Sequence, residues 1–185
     1  PDIDVLNHTS RGELRDPVKD KESIDYWKFH NESVGDLITY FAQVFQDKMN
    51  HKKLLGIFYG YILIPEWRLN EGHSAIDSLL KNNNIDMVYA PTAYDNPRSF
   101  EGASAFLRAV ESDALHGKLF FNEIDIRTHL ASNIIDGIQM DMAMNDKLYD
   151  EFHTIAVLRR DFAMCQAKRC GMWWFDFFGG YYDSP

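Results

Sequence analysis

The sequence predicts an α/β fold in which helices alternate with parallel strands, and three observations lead to this prediction. Some segments repeat apolar residues at helical spacing, whereas others are nearly uncharged runs rich in β-branched and aromatic residues. The two kinds of segment alternate along the chain, as in βα units that feed a parallel sheet. No internal repeat, low-complexity tract or linker interrupts them, so residues 1–185 are treated as one domain or one piece of a domain.

The first half of the chain contains two predicted helices and two predicted strands. Residues 24–48 place apolar side chains three and four positions apart, which predicts one apolar face on a long helix. Residues 54–64 (LLGIFYGYILI) predict a strand covered on both faces. A helix is predicted over 74–81, because a serine and an aspartate at its start have capping-box spacing. The next strand is predicted over 85–91 and ends at a proline.

The second half repeats this order. Residues 102–115 predict a helix and residues 118–125 (KLFFNEID) a third strand. A helix is predicted over about 150–168, and residues 171–182 predict a fourth strand. The connection after the third strand is much longer than the 2 to 6 residues that are usual in βα units, and long loops at strand carboxyl ends often serve a site.

Composition excludes several classes of protein. The chain has 185 residues, a formal net charge of −9, 45% hydrophobic and 14% aromatic residues, which describes a globular protein with enough apolar material for a core. Neither a membrane span nor a signal pattern is visible, and the acidic balance disfavours nucleic acid and anionic membranes as partners. Cys165 and Cys170 lack the second pair that a zinc site would need, so we expect reduced thiols, no metal and no cofactor. The compartment stays open.

The predicted strands carry aromatic and ionisable residues at their carboxyl ends, where sites lie in parallel α/β folds. These residues include Tyr61, Tyr94, Arg98, Glu123, Asp125, Arg127, His129, Trp173, Trp174, Asp176, Tyr181 and Tyr182. Such a mixture suits a sugar, because carboxylates and Arg bind its hydroxyls while its C–H faces stack on aromatic rings. Neither a glycine-rich phosphate cradle nor a G-x-S-x-G nucleophile elbow occurs, which disfavours phosphate and acyl chemistry.

Seven segments carry a resemblance to a known family: IDYWKFHNESVGDLITYFAQV, GIFYGY, NEGHSAIDSLL, IDMVYAPTAY, LHGKLFFNEIDIRTHL, TIAVLRRDFA and MWWFDFFGG. They are similar to the second half of the catalytic barrel in family-42-type glycoside hydrolases, the β-galactosidase-like enzymes, and most of all to a group of bacterial proteins of this type. The resemblance covers the chain from about Leu14 to Tyr182, and LHGKLFFNEIDIRTHL is its most specific part.

The resemblance implies a (β/α)8 barrel, retaining chemistry and a carbohydrate substrate such as a β-galactoside. The four strands would be barrel strands five to eight, and Glu123, at the end of strand seven, matches the catalytic nucleophile. A basic neighbour such as Arg127 would keep Glu123 ionised. Asp125 and His129 would support Glu123 and the loop behind it.

The expected substrate-binding residues surround this position. We expect Trp174 to form a sugar platform and Asp176 to accept hydroxyl hydrogen bonds, with Trp173 pointing outward into the helix layer. The other expected substrate-binding residues are Tyr61, Tyr94 and Asn122. An alternative from the residues alone is that the charges after Phe121 form only a solvated ion-pair cluster.

The family's acid/base carboxylate lies at the end of barrel strand four, and the sequence begins after that position. A (β/α)8 barrel needs about 200 to 250 residues or more, so we expect a fragment that is inactive or nearly inactive alone. Its unpaired edges would favour self-association. Two alternatives stay open: a non-catalytic, self-associating half-barrel that binds carbohydrate, and an unrelated small open-sheet hydrolase that uses Glu123 and His129.

Overall fold

The computed structural model describes residues 15–94, 98–132, 134–135, 138–139, 147–176 and 179–183. The helices are α1 (Lys21–Met49), α2 (Pro65–Asn70), α3 (Ile76–Leu80), α4 (Val110–Leu115) and α5 (Glu151–Ala167). The strands are β1 (Gly56–Phe58), β2 (Met87–Pro91), β3 (Leu119–Ile124), β4 (Ile134–Ile135), β5 (Ile138–Gln139) and β6 (Gly171–Trp174).

Four of these strands form a parallel sheet in the order β1-β2-β3-β6, which is also their order along the chain. The α/β class with parallel strands is therefore confirmed. The short strands β4 and β5 form an antiparallel pair inside the long connection after β3, and the sequence did not predict them. The chain divides into two compact units, Pro1–Val88 with Ser112–Lys118 and Tyr89–Glu111 with Leu119–Pro185.

In the first unit, helix α1 is held by small and polar side chains. Gly35 lies so close to Ala75 that an added Cβ would be 2.7 Å from the Ala75 Cβ. Buried Asn31 donates to the Leu69 carbonyl and accepts from the Ser74 N–H, and buried Gln46 donates to the carbonyls of Lys53 and Asn84. The predicted apolar face is only partly buried: Trp27, Val34, Ile38 and Phe45 are half-buried, whereas Leu37 and Phe41 are 55% and 58% exposed.

The first predicted strand is shorter than expected because the chain leaves the sheet to bind the loop before α3. The hydroxyl of buried Tyr59 donates to the Gly72 carbonyl at 2.7 Å and accepts from the Ala75 N–H at 2.8 Å. Nδ1 of His73 accepts the Tyr61 N–H at 3.0 Å. These bonds satisfy the Tyr61 N–H and two main-chain groups of the loop before α3 without a neighbouring strand.

In the second unit, one face of the sheet packs against α5. Strand β3 alternates buried and half-buried residues, which is the period of a strand with two different faces. The buried face belongs to an apolar cluster of Ile124, Ile126, Leu148 and Val157, with Leu158 and Met172 packed against it. The half-buried face carries Phe121 and Glu123.

The helix predicted over 102–115 is reduced to the single turn and a half of α4. Thr92, directly after β2, forms an antiparallel bridge with Phe106, which draws the preceding residues out of helical conformation. The Arg160 guanidinium donates to the carbonyls of Ser99 at 2.8 Å and Gly102 at 2.6 Å, so these main-chain groups are satisfied in an extended loop. Tertiary contacts therefore override the local helical pattern.

Candidate functional site

Glu123 lies at the carboxyl end of β3, in the middle of the parallel sheet. Its main-chain carbonyl accepts two hydrogen bonds from Thr92 after β2, from the N–H at 2.9 Å and from the hydroxyl at 3.3 Å. The strand pairing on the other side places Trp173 of β6 opposite Glu123. Two neighbouring strands thus fix the main chain that carries the Glu123 carboxylate.

Aromatic rings share the sheet face of Glu123. Paired residues of parallel strands point to the same face, so Trp173 stands beside Glu123. The Tyr89 ring lies 5.7 Å from the Phe121 ring and 5.5 Å from the Trp173 ring, both at edge-to-face angles. The Phe121 ring covers Gly171, where an added Cβ would be 2.3 Å from the ring. We call Tyr89, Phe121 and Trp173 the aromatic cluster.

The register corrects the expected positions of the two tryptophans. Trp174 was expected in the pocket and Trp173 in the helix layer, but Trp173 pairs with Glu123 and Trp174 pairs with Ile124 of the opposite face. Trp174 is 43% exposed, and its ring centroid lies 6.0 Å from that of Tyr182. The Tyr182 hydroxyl donates to the Ile124 carbonyl at 3.0 Å, so both rings lie near the end of β3.

Asn122, which was expected to bind the substrate, lies on the other face of the sheet. It precedes Glu123 in the strand and therefore points to the opposite face, where it is fully buried. Its Nδ2 donates to the Thr92 hydroxyl at 2.9 Å, and the Cys165 thiol of α5 lies within its reach. Asn122 thus supports Thr92, which in turn holds Glu123, and it does not face the same side as a substrate at Glu123.

Arg98 and Asp125 form a buried ion pair close to Glu123. Nη2 of Arg98 lies 2.6 Å from Oδ1 of Asp125, and both side chains are nearly inaccessible to solvent. Arg98 also donates to the carbonyls of Thr92 at 2.7 Å and Ala93 at 3.2 Å. Its guanidinium carbon lies 4.3 Å above the Tyr94 ring centre, so Tyr94 is a neighbour of this pair, and whether Tyr94 binds a substrate stays a prediction.

Arg127 and His129 hold the loop after β3. Nη2 of Arg127 donates to the Ser132 carbonyl at 2.6 Å. The His129 N–H donates to the Thr154 hydroxyl of α5 at 3.1 Å, and its Nδ1 lies 3.0 Å from the same oxygen. The expectation that Arg127 keeps Glu123 ionised is wrong, because the cation whose charge acts on Glu123 is Arg98.

Electrostatics at Glu123 favour its protonated form. Burial raises the pKa of Glu123 to about 7, the charge of Asp125 adds to this rise, and the charge of Arg98 opposes it. Burial also raises the pKa of Asp125 above its ordinary value, although the charge and hydrogen bond of Arg98 act against this. Burial raises the pKa of Tyr182, and the charges of Asp125 and Asp176 raise it further. The Glu123 carboxyl group therefore titrates near neutral pH and not near its ordinary pKa of 4.5.

Two other predicted substrate-binding residues have local structural contacts. Asp176 is exposed, and its Oδ1 accepts the N–H of buried Tyr181 at 3.1 Å, which folds the chain back after β6. Tyr61 belongs to the first unit, where its ring is stacked on His73 with centroids 5.4 Å apart. Whether either residue binds a substrate stays a prediction.

Sequence reasoning assigned no function to Thr92 and Arg98, although both hold Glu123 or its neighbour. Arg98 was recognised only as a charge near a strand end. A buried Arg that bonds main-chain carbonyls leaves no spacing signal, because its acceptors lie in a loop whose path depends on the whole fold. The pairing of Trp173 was also missed, since one strand's sequence does not show which of two consecutive aromatics faces the site.

Comparison with protein-family models, curated proteins and solved structures gives no match for the chain. Within the described residues, no three His, Cys, Asp or Glu side chains are grouped so that they could hold a metal ion. None of the helices described above is both long and apolar enough to span a membrane.

Proposed function

We propose that this chain carries the nucleophile side of a retaining, β-galactosidase-like glycosidase site, with Glu123 as the nucleophile. The observation that supports it most is the position of Glu123, half-buried at the carboxyl end of a central parallel strand and on the same sheet face as the aromatic cluster. Four parallel strands that follow one another in space as in sequence are compatible with strands five to eight of a (β/α)8 barrel.

The chemistry needs a carboxylate beside an aromatic wall. An oxygen of Glu123 attacks the anomeric carbon, the bond from that carbon to the leaving oxygen breaks, and the electron pair departs with the leaving group. The rings of the aromatic cluster provide flat apolar surfaces for the C–H faces of the sugar. A second carboxyl group, about 5 to 5.5 Å away, normally protonates the leaving oxygen. We assign that function to no described residue, because the nearby Asp125 is bound to Arg98.

The test is covalent labelling with 2,4-dinitrophenyl 2-deoxy-2-fluoro-β-galactoside. Dinitrophenolate leaves without a proton, so labelling requires the nucleophile and does not require the acid/base group. We expect the intact mass to rise by one fluorosugar, peptide mapping to place it on Glu123, and the labelling rate to increase with pH through about 7.

Two variants make this experiment decisive. Glu123→Gln removes the nucleophile with little change of shape and should abolish labelling. Glu101→Gln changes an exposed glutamate in the same way and should label like the original chain. Label on another residue, equal labelling of Glu123→Gln, or no label on the folded chain between pH 6 and 9 would each refute the proposal.

A second candidate function is carbohydrate binding without cleavage, by a chain that associates with itself. Protonated Glu123, which is populated near neutral pH, can donate a hydrogen bond to a sugar hydroxyl but cannot attack. The sheet ends in strands β1 and β6, and their edges offer a route to association. Galactoside binding by calorimetry without labelling, together with a native mass above that of one chain, would favour this candidate. A hydrolase based on Glu123 and His129 gains no support, because His129 is bound to Thr154.

A further inference from the structure

Arg98 connects the carboxyl ends of β2 and β3. It is 5% exposed, and one of its nitrogens reaches both the Thr92 carbonyl and the Asp125 carboxylate. Thr92 follows β2 directly, and Asp125 follows β3 directly. Nε of the same guanidinium donates to the Ala93 carbonyl at 3.2 Å, so two nitrogens of one plane hold three acceptors, an arrangement that a single ammonium fits poorly.

The main chain of Glu123 is part of a closed series of contacts that runs through Thr92, Arg98 and Asp125. Thr92 donates its N–H and hydroxyl to the Glu123 carbonyl, and the Thr92 carbonyl accepts from Arg98. Arg98 then binds Asp125, which lies two residues after Glu123 in the chain. The main chain of Glu123 is therefore held from β2 on one side and through Asp125 on the other.

We propose that Arg98 is the positioning residue of the Glu123 site, holding the ends of β2 and β3 together through Thr92 and Asp125. The proposal rests on the proposed function, in which the Glu123 carboxylate is the nucleophile. Arg98 acts through its two partners and does not contact the substrate. A carboxylate that must meet an anomeric carbon needs a fixed place, and errors of about 1 Å reduce such reactions strongly.

The same pair exerts two opposite charges on Glu123. Arg98 favours the ionised carboxylate, and Asp125 disfavours it. Among the described residues, the other titratable or charged groups that interact with this pair, directly or through Tyr181, are Tyr94 after β2, Arg127 after β3, Asp161 of α5, and Asp176, Tyr181 and Tyr182 after β6. Removing either partner should thus shift the titration of Glu123, and the two shifts should have opposite directions.

Two charge-removing variants test this inference, and each keeps the size of the side chain or reduces it only slightly. In Arg98→Gln the pKa of Glu123 should rise by about one pH unit, and in Asp125→Asn it should fall by about as much. The ratio of the labelling rate at pH 7 to that at pH 9 should then be about fivefold lower in Arg98→Gln than in the original chain. The rate at pH 9 should itself be lower, because Thr92 and Asp125 are no longer held together. In Asp125→Asn, labelling at pH 6 should rise about fivefold, with no difference at pH 9. Arg159→Gln, which removes an exposed arginine of α5, is the matched control and should change neither profile.

If Arg98 contributed only to folding, Arg98→Gln would lower the amount of folded protein but leave both the pH profile and the pH 9 labelling rate of the folded protein unchanged, and that result would overturn the inference. Arg98→Lys covers the case in which Arg98→Gln does not fold. It keeps the charge but not the fork, so the Glu123 titration should stay in place while labelling slows at all pH values. The titration of Glu123 is also measured directly, by carbon NMR of the carboxyl group. If the original chain is not labelled at all, the proposed function fails, yet unequal NMR midpoints in the two variants still establish the effect of the pair. Identical midpoints of the Glu123 titration in folded Arg98→Gln and Asp125→Asn would refute the effect of the pair.

Discussion

Ionised Glu123 should cost this protein stability, and its removal should therefore stabilise the fold at high pH. Burial and the charge of Asp125 raise the pKa of Glu123 from an ordinary 4.5 to about 7. Between these two pH values the folded chain binds more protons than the unfolded chain, so the free energy of unfolding falls as the pH rises. Below about pH 4.5 the cost is absent, and above about pH 7 it is complete.

The size of the effect follows from the same interval. The rise from 4.5 to about 7, at about 1.4 kcal/mol per pH unit, corresponds to about 3 kcal/mol. One side of Glu123 is open to solvent, which screens the charge, so we expect about 2 kcal/mol. The side chain at position 123 is neutral at all pH values in Glu123→Gln. Subtracting the free energy of unfolding of the original chain from that of the variant should therefore give a value about 2 kcal/mol higher at pH 8 than at pH 4.

Urea unfolding followed by tryptophan fluorescence at pH 4, 5, 6, 7 and 8 measures this difference. Other titrating groups act alike in both proteins, so the difference between the two curves isolates Glu123. Glu101→Gln, at an exposed position, should show no comparable pH trend. A constant difference between Glu123→Gln and the original chain across this range, or a loss of stability at pH 8, would refute the reasoning.

Two further predictions concern the aromatic cluster. Gly171→Ala places a Cβ against the Phe121 ring and should lower the free energy of unfolding by about 2 kcal/mol. The loss should be smaller when Phe121→Leu is also present, and urea titrations of the original chain, the two single variants and the double variant would measure it. Trp173→Ala should raise the fluorogalactoside concentration for half-maximal labelling about tenfold, whereas Trp174→Ala should raise it less, because only Trp173 shares the face of Glu123. Equal effects of the two tryptophan variants would contradict this placement.

The strands were predictable because their sequences are unlike those of the helices. The runs ending at Pro91 and at Ile124 are short, mostly apolar and rich in β-branched or aromatic residues, which favours strands. The path after Tyr59 was not predictable, because the chain continues in strand-forming residues while its hydrogen bonds go to the loop before α3. A local pattern reports what a segment prefers, and the tertiary partners decide whether it extends.

Helix α1 shows a different failure. Its spacing correctly predicted a helix, yet the residues buried along it include Asn31 and Gln46, which bond to loop carbonyls. Apolar spacing identifies the buried face only when burial depends on apolar packing. Where a helix is held partly by amides that satisfy the main chain of loops, part of the apolar stripe, here Leu37 and Phe41, stays exposed.

At the candidate site, position in the strand was predictable and direction was not. Glu123 was placed at the end of its strand from the change between apolar and ionisable residues, and the structure agrees. The faces of Asn122 and Trp174 depend on a register that a shift of one residue would reverse. The contacts of Arg98 depend on a loop that reaches back to the end of β2. Both are properties of neighbouring segments and cannot be read from one segment alone.

A pKa of about 7 does not count against Glu123 as a nucleophile. At pH 7 the protonated fraction of Glu123 lowers the attack rate only about twofold. A more basic carboxylate attacks better for the same geometry, which offsets part of that loss. It is also a poorer leaving group, so the bond between the sugar and Glu123 should break more slowly in the second step. If Glu123 is the nucleophile as proposed, its burial, which is the main cause of the raised pKa, would therefore favour a covalent intermediate that forms readily and persists.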